Sequence, residues 1–373
     1  MMHSEQENSP VKEKREENFP ARGFVGRVLI AYGIGMIFLL LAILLWFASP
    51  AMLLLFASIL MAVLLHDACT NVRKWLHVSH GIALVLVLLA AVAFLALAGL
   101  LLAPQVIEQG NQLVSELPKA IQRLREYLER NQVLQQINRY LPSPEKIFSN
   151  AASVATQAGT VFAGVVGVLG NIAIFLFVSI YLASQPRPYT DGIVKLLPKQ
   201  KRARGREVLH ELEKTLSLWL RGKLLSMAVV GAVTAIGLML LGVPMSLALG
   251  VLAGLLDFIP YIGPILAAIP AVLIAFSEGP MLALYVVLLF IALQMMEGYL
   301  LLPLVERKTV SLPPALTIMM QVLMGMAFGL AGVALATPLT AVAAVLIAML
   351  YVQDVLEDKV TLPAEQDNKE KKE

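Results

Sequence analysis

Two carboxylates in this 373-residue chain stand where a charge is out of place. Asp257 interrupts the apolar run Ser246–Phe276, and Glu297 lies mid-run in Met281–Leu302, three residues after Gln294. A spacing of three puts Gln294 and Glu297 on one helical face. A carboxylate facing lipid at mid-depth costs about 3 kcal/mol or more, so Glu297 is expected to face the protein interior. Groups placed there can take up a proton or hold a cation or a polar solute. Catalysis is not signalled, because the chain lacks a His-Glu-x-x-His pair, a Gly-x-Ser-x-Gly elbow and a phosphate-binding Gly-x-x-x-x-Gly-Lys loop. The expectation is a protein that is not an enzyme and needs no cofactor.

The element that must position Asp257 is the octapeptide Asp257-Phe258-Ile259-Pro260-Tyr261-Ile262-Gly263-Pro264. It cuts a 31-residue apolar run, and because one crossing needs about 20 residues, each arm is too short to span a bilayer. That predicts a re-entrant helical hairpin. Backbone freed by the two prolines and the glycine is tolerated at membrane depth only when protein or a water-filled cavity shelters it. Asp257, Pro260, Tyr261, Gly263 and Pro264 are therefore the candidate pathway, together with Gln294 and Glu297. A second interrupted stretch, the 37 residues Ala315–Tyr351, contains Gly325, Gly329, Gly332 and Thr337-Pro338. It predicts a second hairpin or two tight crossings, and adds Thr337 and Pro338 to the candidate site. Paired broken segments are the sequence pointer to a transporter's binding locus.

Composition agrees. Hydrophobic residues make up 58% and charged residues 15% of the chain, with a mean hydropathy of +0.76, which excludes an ordinary soluble domain. The fold class is all-α, a polytopic membrane protein with about six to eight spanning segments. Residues 1–27 form a polar cytoplasmic tail, and 28–103 hold the N-terminal crossings: Val28–Ala48 and Ala51–Leu65 turning at Ser49-Pro50, then Ile82–Ala103 ending at Pro104. Residues 104–158 repeat apolar side chains at Leu113, Leu117, Ile121, Leu124 and Leu128, an amphipathic helix on the outer side broken near Leu141-Pro142-Ser143-Pro144. The crossing 159–183 has small residues at Gly159, Ala163, Gly167 and Gly170 that suit close helix packing.

Residues 184–223 carry ten Lys and Arg against four acids, which places this loop in the cytoplasm. Without interleaved aromatics the basic run does not read as a nucleic-acid site. The transport core occupies 224–351, and 352–373 is a charged tail. Five crossings before Gly242, with both termini cytoplasmic, let the Asp257 hairpin enter and leave on the outer face. Cys69, the single cysteine, excludes an intrachain disulfide framework and reads as a small buried residue. His66, His77 and His80 have loose spacing and no Cys or paired carboxylate beside them, so they read as a juxtamembrane loop and not as a metal site.

Several of these residues together resemble the AI-2E family of transporters. They are the tip Asp257 to Pro264 preceded by Leu241-Gly242-Val243-Pro244, then Gln294-Met295-Met296-Glu297-Gly298, Pro303, and Leu312-Pro313-Pro314. The match runs from about Ser184 to Tyr351. Departures are Tyr299, Lys223, Arg307 and Pro313, where the family pattern has Asn, Gln, Gly and His. The resemblance implies a multi-pass inner-membrane permease exporting a small polar solute such as autoinducer-2, or exchanging sodium for protons, and it implies a homo-oligomer. A membrane scaffold using the outer helix and the basic loop is the alternative from a different class.

Overall fold

The computed structural model describes residues 21–130, 161–301 and 312–358. Every described element is a helix: α1 (Ala21–Leu76), α2 (His80–Arg130), α3 (Val161–Ser184), α4 (Pro186–Lys195), α5 (Arg202–Leu240), α6 (Ser246–Leu256), α7 (Ile262–Glu278), α8 (Pro280–Met296) and α9 (Pro314–Leu346). Wider π-type turns prolong α8 over Glu297–Leu301 and α9 over Ile347–Gln353. Among the described residues, five helices are long and apolar enough to cross a membrane, and three shorter apolar helices accompany them. The architecture is that of an all-α polytopic membrane protein.

Two compact units divide the chain, residues 1–51 and 52–373. The first is described as helix from Ala21 onward, with large apolar side chains such as Phe38, Leu44 and Phe47 exposed, as suits a helix surrounded by hydrocarbon. Its helical backbone runs on through Ser49 and Pro50, so the turn expected there does not form. The reason is local. Pro50 cannot donate to the carbonyl four residues back, and the Ser49 hydroxyl donates to that Trp46 oxygen instead, at 2.7 Å.

In the second unit, α2 likewise continues through Pro104 and Pro118, past the point where a crossing was expected to end. Its 51 residues exceed one crossing, so the polar second half extends beyond the apolar first half as one element. Leu113 and Ala120 pack into a core made with Leu238, Val243, Leu249, Ala271 and Ile274. The amphipathic face is thus spent on α6 and α7. The break expected at 141–144 lies outside the described residues, as does Gly159; a methyl group at Gly170 would meet open space. Close backbone packing falls elsewhere, between α5 and α6. There a Cβ at Gly254 would stand 2.7 Å from the Met227 carbonyl oxygen and 3.0 Å from Gly231 Cα, so only a bare backbone allows the two helices to meet at this depth.

The basic segment and the following crossing, read as separate, form the single helix α5. Leu216 and Leu220 pack against Leu60 and Leu335, not on a membrane surface. Arg204 ties this helix to the end of the last one, donating to Met349 O at 3.0 Å and Gln353 Oε1 at 2.7 Å, with Asp354 Oδ1 2.9 Å away. Cys69 is fully buried with Ala62, Ala83, Leu84 and Ala183. His66 belongs to α1 and not to a loop. Its ring lies 5.4 Å from that of His80, and no metal-holding group of three His, Cys, Asp or Glu residues occurs among the described residues.

Candidate functional site

The apolar run breaks where the sequence places the break. α6 ends at Leu256, and Asp257 to Tyr261 form a tight turn into α7. Tyr261 takes φ +64°, a sparsely populated conformation for a residue with a side chain, held by its surroundings. A Cβ at Gly263 would overlap the Leu256 carbonyl, which fixes glycine at that position. The first amides of α7 are already used: Ile262 N donates to Pro260 O at 2.8 Å and Gly263 N to Ile259 O at 3.0 Å, while Pro264 has none. The amides that open α7 are thus taken by the turn's own carbonyls and are not free for an anion. Trp219 covers the turn, its ring edge-on to Phe258 at 5.9 Å.

The second stretch breaks at one of its three glycines and not at Thr337-Pro338. Backbone angles inside α9 are helical except at Gly329, with φ 63° and ψ −147°, a combination open essentially to glycine alone. A Cβ at Gly332 would overlap the Met324 carbonyl, although eight residues of straight helix are about 12 Å long. The chain therefore doubles back at Gly329. Thr337 and Pro338, expected at a break, lie buried within the returning arm, 330–346.

At the tip of the first hairpin lies a buried charged cluster, to which α5 and the end of α8 contribute. Asp257 is wholly buried at the C-terminal end of α6, the negative end of that helix, so its charge needs an answer. Lys223 of α5 supplies it. The ammonium nitrogen stands 3.0 Å from Asp257 Oδ2 and 3.4 Å from Glu297 Oε1, with side chains 9%, 0% and 14% exposed for Lys223, Asp257 and Glu297. Neither Asp257 oxygen has a hydrogen-bond partner; the lysine is close to one of them but off the bonding axis, so this pair is held by charge. Glu297 also accepts from Ser226 Oγ at 3.3 Å, and the two carboxylates are near enough to act on one another. With all three groups ionised the cluster carries one net negative charge, +1 − 1 − 1.

The remaining candidates fall around it. Gln294 is largely exposed, and with Glu297, Pro264 and Thr234 it lines a partly open cavity of about 10 Å³, close to the least that takes one water. Thr234 is wholly buried and its hydroxyl has no partner. Pro260 offers its carbonyl to Gln321 Nε2 at 2.9 Å, and the same nitrogen reaches Thr337 Oγ1 at 3.5 Å. Gln321, fully buried, thereby joins the first hairpin tip to the second. Sequence reasoning missed it, and missed Lys223 and Ser226 as site residues. The available signal was a lone amide in an apolar run, and Lys223, Ser226, Val230 and Thr234 at spacings of three and four along α5.

Helices of this length and polarity, broken at two places around a buried charge cluster, define a multi-pass membrane protein of the permease class. The AI-2E family transporter model matches residues 36–351. The chain belongs to the AI-2E transporter family. It is similar to "Putative transport protein YueF" of Bacillus subtilis, 29% identical over 277 residues that cover 71% of this chain and 75% of that one. It is likewise similar to "Putative permease PerM" of Escherichia coli K12, at 28% over 328 residues, 84% of this chain and 88% of the relative. "Putative transport protein YhhT" of the same organism is 26% identical over 264 residues, 69% and 73% of the two chains.

Proposed function

We infer that this chain is a secondary transporter that exports a small polar solute of the autoinducer-2 kind across the inner membrane, coupled to a proton or cation gradient through Lys223, Asp257 and Glu297. One observation carries the reading: two carboxylates and a lysine are buried together between apolar helices, where ionisable groups mark ion and solute pathways. A proton on either carboxylate brings the cluster to neutrality. Discharging it restores the negative charge and with it a reason for the hairpin tip to shift. Gln321 would pass such a shift from the Pro260 carbonyl to Thr337 and the second hairpin. The basic segment from Lys195 to Arg206 faces the cytoplasm on this reading.

The α6–α7 hairpin is read as re-entrant, opening to the outer face, and assembly as a homo-oligomer in the lipid bilayer follows the family. A sodium/proton exchanger is the second reading, favoured by the same paired carboxylates. The scaffold alternative has less support, since the inner face of the outer helix is already packed on α6 and α7. Reconstituted vesicles with an imposed proton gradient test the proposal: Glu297→Gln and Asp257→Asn should each abolish gradient-driven efflux of autoinducer-2. Unchanged efflux and pH response in both variants would remove the site. Labelling of cysteines placed at Ser246 and Phe276, in a Cys69→Ala background, should occur from one side only; labelling from opposite sides would overturn the hairpin.

A further inference from the structure

The space between Asp257 and Glu297 is where two carboxylates would grip a free monovalent cation, and it is filled from within the chain. Lys223 Nζ lies 3.0 Å from one carboxylate and 3.4 Å from the other, and Ser226 Oγ donates to the same Glu297 oxygen that faces the ammonium. A lysine ammonium is a compact point charge on a long stem, the nearest a side chain comes to a bare ion. We propose that Lys223 is a tethered cation occupying a latent sodium site, which makes this chain independent of sodium and leaves the proton as its coupling ion.

The inference rests on the cluster being the coupling site, and it decides between the two couplings left open above. Three observations converge on it. The cluster's surplus is a single negative charge, which one proton neutralises, and the place between the carboxylates is already taken by the ammonium. Among the described residues the charged groups acting on Glu297 are Lys223 and Asp257; α9 contributes the uncharged Gln321 at the tip. The adjoining cavity of about 10 Å³ has room for one water beside the unpartnered Thr234 hydroxyl, and not for an ion with a hydration shell. Replacing the ammonium by an amide would leave two carboxylates, the Ser226 hydroxyl and an amide oxygen around one point. An all-oxygen set of that kind suits a hard cation.

Thermal melting of the purified full-length protein in detergent, in sodium chloride against choline chloride at equal ionic strength, tests this without requiring transport. Wild type should melt at the same temperature in both salts. Lys223→Gln should melt higher in sodium by roughly 3 °C or more, with saturation, as for a ligand that binds only the folded state. The gain should vanish in K223Q/D257N/E297Q, which leaves no carboxylate to hold the ion. Equal sodium shifts in wild type and K223Q, or none in a monodisperse K223Q sample, overturn the proposal. If K223Q aggregates in both salts, K223Q/E297Q keeps the native net charge and is measured in its place: stabilisation by sodium beyond wild type supports the tethered cation, and a shift no larger than wild type's overturns it. Efflux separates this from the transporter reading. A sodium shift in K223Q with E297Q still transporting removes the coupling site but leaves the latent cation site; the opposite pattern removes the latent site alone.

Discussion

The α6–α7 hairpin is built oppositely at its two ends. At its mouth, α2 clasps both helix termini. Gln109 Oε1 accepts from Leu247 N and Ala248 N, each at 3.1 Å, capping α6 where its own Met245 cannot, and Arg123 Nη1 donates to Ser277 O at 3.2 Å near the end of α7. Tyr127 meets Phe276 edge-on at 5.4 Å, over the apolar core of Leu249, Ala271 and Ile274. At its tip the same hairpin buries charges that do not cancel and a carboxylate with no hydrogen-bond donor. A satisfied end is an anchor. The tip holds groups whose interactions change with one proton, so on the transporter reading movement is expected there, hinged on the mouth.

Lys223→Met is the sharpest way to break this contrast. It strands two carboxylates, one fully buried, and removing one partner of a buried ion cluster costs about 3–5 kcal/mol. Denaturation of the variant in sodium-free detergent should show the largest loss of any single substitution around the hairpin tip. The neutral combination K223M/D257N/E297Q should recover most of that stability, because no charge is left to bury, while gradient-driven efflux stays absent. Recovery of transport in the triple variant would mean that the cluster is structural. Next comes Gln321→Leu, which removes the side-chain donor to the Pro260 carbonyl, leaving it only the Ile262 amide, at a cost of about 1 kcal/mol. It should lower efflux far more than a mouth substitution of equal destabilisation, since it cuts the link from tip to Thr337.

How much of this was legible in the sequence depends on which residue type carried the message. The Asp257 tip was legible because proline, glycine and a carboxylate coincide in a run otherwise free of them, and Glu297 because nothing near it in sequence could neutralise it. Lys223 was not: it follows a run of lysines and arginines and was counted with them, while its inward direction is fixed only by α6 packing against Gly231. Proline misled three times. Pro50, Pro104 and Pro338 read as breaks, yet each sits inside a helix, because a proline removes one hydrogen bond that a serine or a neighbouring helix can restore. The reversal came at Gly329 instead. Only the backbone reveals it, since three glycines, Gly325, Gly329 and Gly332, are equally plain in the sequence of that stretch, and one takes the angles that turn the chain.

The mouth yields the smaller effects, and their arithmetic sharpens the contrast. Gln109→Leu leaves two amides of α6 without their acceptor, the loss of a helix cap worth about 1 kcal/mol, and should leave efflux within about twofold of wild type because no charge moves. Arg123→Gln, at an exposed position, should cost about 0.5 kcal/mol or less. The two residues are 14 positions apart on α2, about 21 Å of helix, and share no partner. In Q109L/R123Q the losses should therefore add to within about 0.5 kcal/mol in chemical denaturation. At the tip the corresponding cycle between Lys223→Met and Glu297→Gln should fail to add by at least about 1 kcal/mol, since removing one charge relieves the cost of removing the other. Additive losses at both ends would place tip and mouth on the same footing and remove the reason for assigning movement to the tip; coupling confined to the tip is what a hinged hairpin requires.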